Sequence, residues 1–145
     1  MVDIHNFYNL QYDLNVNCYF VKHSGVFDYN ALMTRSDAVF KHPCWMPKIN
    51  SLTDFRNCKI NLSPEELIKA ALVVHERVRM RGKAKELLLV SDKLSFGLVR
   101  QYLSQVDTDC IERRVYSSMD GFDSSDVKEY LDIGEEYTFP TFLDL

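Results

Sequence analysis

Glycine and proline are scarce, at 5 and 4 of 145 residues, about half their usual combined share of roughly 12%. That scarcity excludes collagen-like repeats, Gly-rich linkers and mucin-like stalks. Long apolar runs are missing too. The longest are short segments such as Leu87–Val90, far below the roughly 18 residues that a membrane helix needs. No excess of positive charge exists either: the net charge is −4, which offers no general attraction to nucleic acid or to anionic lipid. The opening residues Met1-Val2-Asp3-Ile4-His5 have neither a basic region nor an apolar core, so they do not read as a secretory signal. Cysteine is sparse and unpaired in pattern. Cys18, Cys44, Cys58 and Cys110 form no C-x-x-C, so neither a disulfide framework nor a zinc site is expected, and they read as small buried side chains in a reducing cytoplasm.

What is present is a globular composition: 46% hydrophobic, 26% charged and 12% aromatic residues. The length suits a single domain over residues 1–145, able to bury roughly two-thirds of its unfolded surface without a metal or disulfide staple.

Residues Phe7–Leu14 alternate loosely, and Cys18-Tyr19-Phe20-Val21 follows the turn-rich Asn15-Val16-Asn17, so the pair reads as a hairpin punctuated by Ser24-Gly25. Asp28 can cap a helix to about Lys41, stopped by His42-Pro43. Cys44–Pro47 then forms a loop that tucks Trp45 under the sheet edge. Ile49–Phe55 is a short strand. Leu62-Ser63-Pro64-Glu65-Glu66-Leu67 opens the clearest helix: Ser63 suits the N-cap, Pro64 the first turn, and Glu66 the reciprocal capping partner. Its inward stripe is Leu67, Ala70, Ala71, Val74 and Val78, and Gly82 ends it. Leu87–Val90 has the continuous apolar pattern of a central strand covered on both faces. Ser91-Asp92 caps the next helix, Ile111–Tyr116 is a strand, and Asp123 or Ser124 caps a last helix. The resulting β-β-α-β-α-β-α-β-α order demands an α/β layered domain, its mixed and mostly parallel sheet having about five strands with about four helices. Its core covers about residues 7–133, with a tail at 134–145 that either packs on the body or floats.

Four segments carry a family resemblance: Leu52-Thr53-Asp54-Phe55-Arg56, a D-x-R turn after the third strand; Leu62-Ser63-Pro64-Glu65; the helix Asp92-Lys93-Leu94-Ser95-Phe96-Gly97-Leu98-Val99-Arg100-Gln101-Tyr102; and Arg113-Arg114-Val115-Tyr116. Together with the element order they resemble the STAS fold of anti-sigma-factor antagonists, and more closely a set of bacterial STAS-like proteins of unknown function. The resemblance implies a regulatory protein-binding module without catalysis. In true antagonists an Asp-Ser-Ser-Gly run carries the phosphorylated serine. Here that place reads Asn61-Leu62-Ser63-Pro64, so Ser63 is a helix cap first and a phosphorylation site second.

Candidate binding residues gather at the C-terminal edge of the expected sheet, where open α/β sheets place ligands. Asp54 and Arg56 are the first: Arg56 is able to clamp a carboxylate or phosphate, or else to form a surface pair with Asp54 or bond the loop backbone. Phe96, Gly97 and Arg100 are the second group: Gly97 costs about 1 kcal/mol of helix propensity against Ala, which signals either a close approach or a ligand. Arg77, Arg79, Arg81, Lys83 and Lys85 read as a solvated helix end, and His75 as half-buried. His5, His23, His42 and His75 are isolated, and no G-x-G-x-x-G, G-K-[ST] or G-x-S-x-G motif occurs. No catalytic residues, metal or cofactor are expected. Two roles follow: a protein-interaction module, self-associating or not, with an exposed apolar patch near the helix after Ser63; or a carrier or sensor of an anionic or lipid-like small molecule, with a pocket at the sheet edge.

Overall fold

The computed structural model describes residues 7–106 and 111–145; His5 and Cys110 lie outside them. Five strands, β1 (Tyr8–Asp13), β2 (Cys18–Phe27), β3 (Asn50–Ile60), β4 (Ala84–Val90) and β5 (Ile111–Ser117), form one sheet in chain order. β1 is antiparallel to β2, and every later pair is parallel. The helices are α1 (Tyr29–Phe40), α2 (Pro64–Met80), α3 (Lys93–Gln105) and α4 (Ser124–Leu131).

A sheet whose parallel strands neighbour one another in chain order leaves its crossovers no choice. Right-handed connections put all three helices on one face. There α1, α2 and α3 cover Phe55, Leu88 and Val90. The other face is left to α4 and the C-terminal residues, which bury Phe20, Leu52, Leu87 and Leu89 beneath Val127, Leu131, Phe139 and Leu143. The tail therefore packs. It is tied by Tyr137 Oη donating to Asp13 Oδ2 (2.8 Å) and by Lys128 Nζ donating to the Glu135 carbonyl (2.7 Å).

Local chemistry explains the elements. The Ser63 hydroxyl accepts from the Glu66 amide (3.1 Å) and Glu66 Oε1 accepts from the Ser63 amide (3.0 Å), closing the expected box on α2. Asp28, Asp92 and Asp123 cap α1, α3 and α4. The buried stripe of α2 is the expected Leu67, Ala70, Ala71, Val74 and Val78. Two strands outrun their sequence signal. β2 continues past Ser24-Gly25 to Phe27 through a register shift between Lys22 and Ser24, with Gly25 at φ +77°; the glycine shapes the irregular stretch instead of ending the strand. β3 runs on to Ile60 because its end pairs with that extension of β2. Trp45, half-buried, lies 5.0 Å from the Phe40 ring beside the cluster of Tyr19, Val21, Val39 and Ile49.

His23 on β2 is buried, stacked on Phe55 at 5.4 Å and close to Phe27 at 4.4 Å. Burial, helped by the Arg35 charge, holds its imidazole well below the usual 6.5. The folded chain keeps this residue neutral while the unfolded chain protonates it. Its contribution is complete above about pH 6.5 and declines as pH drops toward the lowered native value, by up to about 1.4 kcal/mol per pH unit. A urea-unfolding series from pH 7.5 to 5 should show this slope in the wild type and its loss in His23→Leu; equal slopes would remove His23 as the cause.

Candidate functional site

The residues expected at the sheet edge fall into two groups separated by the sheet. On β3, Leu52, Asp54 and Arg56 share the face toward α4 and the tail. Asp54 is fully buried. Its carboxylate takes the Arg56 fork in two bonds, Nε to Oδ1 at 3.0 Å and Nη2 to Oδ2 at 2.9 Å, and Oδ1 also accepts the Arg56 amide at 2.9 Å. The same Nη2 donates to the Leu143 carbonyl at 2.7 Å, and the guanidinium lies 5.7 Å from the Phe122 ring centre. The pair thus links the end of β3 to the C-terminal residues. Ser91 Oγ donates to the Arg56 carbonyl at 3.2 Å, linking the end of β4 to β3.

Phe96, Gly97 and Arg100 lie on α3, across the sheet. Phe96 packs half-buried into the α1–α3 core. Gly97 is exposed, and a Cβ added there would meet nothing within 4 Å. Arg100 is exposed and, among the described residues, forms no ion pair. Ser63 is exposed at the start of α2, on the same edge. Burial, with Asp54 and Asp92 nearby, pushes the Cys58 thiol up to about 12, which keeps it protonated and unreactive at neutral pH. Among the described residues no group of three or more His, Cys, Asp or Glu is arranged to hold a metal ion.

The most polar buried region lies elsewhere, under α1, α2 and α3. A cavity of about 80 Å³ there is lined mainly by apolar side chains, and also by Arg35, Arg77, Arg81, Glu86 and Arg113. Neither Arg56 nor Arg100 reaches it. Arg81, just past α2, is only 4% exposed. Its Nη2 donates to Ser51 Oγ (2.9 Å), and its Nη1 stands 3.3 Å from Glu86 Oε2. The same carboxylate oxygen accepts Arg113 Nε at 3.0 Å. Burial alone would raise the Glu86 pKa, but Arg81 and Arg113 outweigh it and hold the carboxyl below its ordinary value. Arg77 is paired with Asp37 and donates to Ser36 Oγ at 3.0 Å.

This corrects two expectations. The basic run is not a solvated helix end throughout, because Arg81 is drawn inside by Glu86. His75 is exposed, not half-buried, and the buried histidine is His23. One sequence signal pointed to the cluster. Glu86 shares strand parity with Leu88 and Val90, so a carboxylate had to face the helix layer of a central strand and find cations there.

No protein-family model matches the chain, and no curated protein sequence does. Among solved structures, the chain is similar to an uncharacterised protein of the DUF3478 family from Shewanella loihica PV-4, described as having a SpoIIAA-like fold. The TM-score is 0.54 at 15% identity, over 86% of this chain and 92% of that one. The fold is SpoIIAA-like. At this identity the likeness carries the STAS architecture, with its five-stranded mixed sheet and four helices, and no activity.

Removing the Arg56 guanidinium strands a fully buried carboxylate and the Leu143 carbonyl. The Arg56→Ala variant should lose about 3 kcal/mol of stability in denaturant unfolding. The tail amides from Tyr137 to Leu143 should lose hydrogen-exchange protection first. Unchanged stability and protection would show that the clamp does not hold the tail.

Proposed function

We propose that this STAS-like chain is a non-enzymatic, single-domain regulatory module of the cytoplasm that works by docking a protein partner, which can be a second copy of itself. The supporting observation is the outer surface of α2 and α3. Leu72 is 75% exposed, and Ile68 one turn before it is 46% exposed; residues four apart share a helix face. Val73 and, at the start of α3, Leu94 are exposed as well. Both helices leave the same edge of the sheet, so Ile68, in the second turn of α2, and Leu94, in the first turn of α3, lie toward that edge with Ser63. Large apolar side chains grouped in this way mark interaction surfaces more often than isolated exposed ones do. Docking there needs no catalytic group. A phosphate on Ser63 would sit at the N-terminus of the same helix, giving a partner's affinity a switch.

Native mass spectrometry and sedimentation velocity on protein isolated gently from its host cells test this reading. The expected result is a dimer or a retained protein chain that the Leu72→Asp variant loses while keeping its unfolding free energy within about 0.5 kcal/mol of wild type, as for ordinary surface substitutions. A monomer that carries no other chain in both proteins would overturn it.

A further inference from the structure

The sheet has two outer strands, β1 and β5. An outer strand offers a row of unpaired N–H and C=O groups, which is a template for another strand. Chains usually blunt it with lysine, proline, a bulge or a covering element. β5 uses none of the first three. Its sequence, Ile-Glu-Arg-Arg-Val-Tyr-Ser, has no lysine or proline, and its pairing with β4 runs from Ile111 to Ser117 without a register shift. Among the described residues no strand lies beyond it.

The charges on β5 are sorted by face. Arg113 shares a face with Ile111 and Val115, and its side chain is turned inward, 8% exposed, with Nε on Glu86. Glu112 and Arg114 share the opposite face, toward α4, and both are exposed. The cation beside Glu112 on β4 is Lys85, which is taken by Asp132 and the Tyr130 carbonyl. Arg114 lies 4.6 Å from the Tyr130 ring centre, and its Nη1 is 3.5 Å from Tyr116 Oη. The Glu112 charge reaches Arg114, yet among the described residues neither forms an ion pair. By contrast β1, Tyr-Asn-Leu-Gln-Tyr-Asp, has a single charge.

A two-fold axis perpendicular to the sheet would set two copies of β5 antiparallel and keep each layer on its own side. Facing residues then belong to the same face. Only the register centred on Arg113 sets Glu112 opposite the partner's Arg114 and Arg114 opposite the partner's Glu112. It also sets Ile111 opposite the partner's Val115. Each Arg113 faces its own copy in that register, but its guanidinium is turned in toward Glu86. Tyr130 Oη donates to the Glu112 carbonyl at 3.2 Å; a carbonyl accepts two bonds, so one place is left for a strand.

We infer that β5 pairs antiparallel with β5 of a second copy of this chain, centred on Arg113, so that the two sheets continue as one and two Glu112–Arg114 pairs fix the register. This interface is separate from the outer surface of α2 and α3, does not rest on docking there, and leaves that surface open.

Sedimentation velocity over a concentration series tests the pairing. The wild type should dimerise, and Leu72→Asp should leave this dimer in place. Glu112→Arg and Arg114→Glu each turn both pairs into like charges, so each variant should self-associate at least about tenfold more weakly. An equimolar mixture of the two restores both opposite-charge pairs in a heterodimer, and the double variant restores them in a homodimer; each should recover most of the lost affinity. Recovery on mixing requires both chains to be native, so it cannot arise from misfolding. Amide exchange on the wild type alone gives a second readout: residues 112–115 should exchange more slowly at high protein concentration than at low. A monomeric wild type with concentration-independent exchange in β5 would overturn the pairing. So would single variants that dimerise like the wild type, or a mixture that associates no better than its parts. A chain lost in Leu72→Asp and kept in the charge variants belongs to the α2 surface instead.

Discussion

The handedness of the crossovers governs this molecule. Strands β2 to β5 run parallel and adjacent in chain order, and right-handed connections then load α1, α2 and α3 onto one face. The opposite face would present Phe20, Leu52, Leu87 and Leu89 to water. The chain's last segment resolves this: α4 and residues 133–143 supply Val127, Leu131, Ile133, Phe139 and Leu143 as the missing layer. The Asp54–Arg56 pair follows from the same need. A buried ion pair is weak evidence of net stabilisation, but its third bond, to the Leu143 carbonyl, fixes the register of a segment with little regular structure of its own.

The two faces differ in chemistry. The face under α4 and the tail is packed with leucine, valine and aromatic rings, and three cations near it reach a carbonyl or carboxylate: Lys85 at Tyr130 and Asp132, Lys128 at Glu135, and Arg56 at Leu143 and Asp54; Arg114 lies over the Tyr130 ring and meets the Tyr116 hydroxyl. The helix-covered face holds Glu86 with its arginines and, among the described residues, all five buried side-chain atoms without a hydrogen-bond partner: His23 Nε2, Arg35 Nε, Trp45 Nε1, Thr53 Oγ1 and Arg81 Nε. Packing and polar satisfaction normally go together in a core. Their separation between two layers of one small sheet identifies the layer under α1–α3 as the one whose polarity the fold itself does not require.

Much of the architecture was legible from the residues because it rests on local rules. The Ser63 capping box, the apolar stripe of α2, the Asp92 cap and the strand–helix alternation all act within a few residues of one another. The tail was not legible: Phe139 and Leu143 have no periodicity, and their burial depends on an exposed sheet face that only the assembled topology creates. The extension of β2 beyond Gly25 was hidden for a similar reason, as it needs the partner end of β3. At the sheet edge, the sequence held a ligand clamp, a surface pair with Asp54 and a backbone bond open for Arg56. The structure supplies a backbone bond, to a carbonyl distant in sequence. Arg81 was obscured by its neighbours. Arg77, Arg79 and Lys83 make it look like one more surface cation, and the reason for its burial lies on another element, at Glu86.

Helix α2 joins the two departures from ordinary packing. Its inner stripe closes the cavity, the residue after it sends Arg81 inside, and its outer side exposes Ile68, Leu72 and Val73. A surface helix of a monomer usually has one apolar face and one charged face; here leucine and valine occur on both. Neither departure helps the isolated chain. Exposed Leu72 gains nothing by burial, and Arg35 and Arg81 each keep a buried Nε without a hydrogen-bond partner. Sequences keep such local conflicts where something outside the chain resolves them. An apolar partner surface answers the first. The same helix backbone, held at its start by Ser63 and Glu66, presents both.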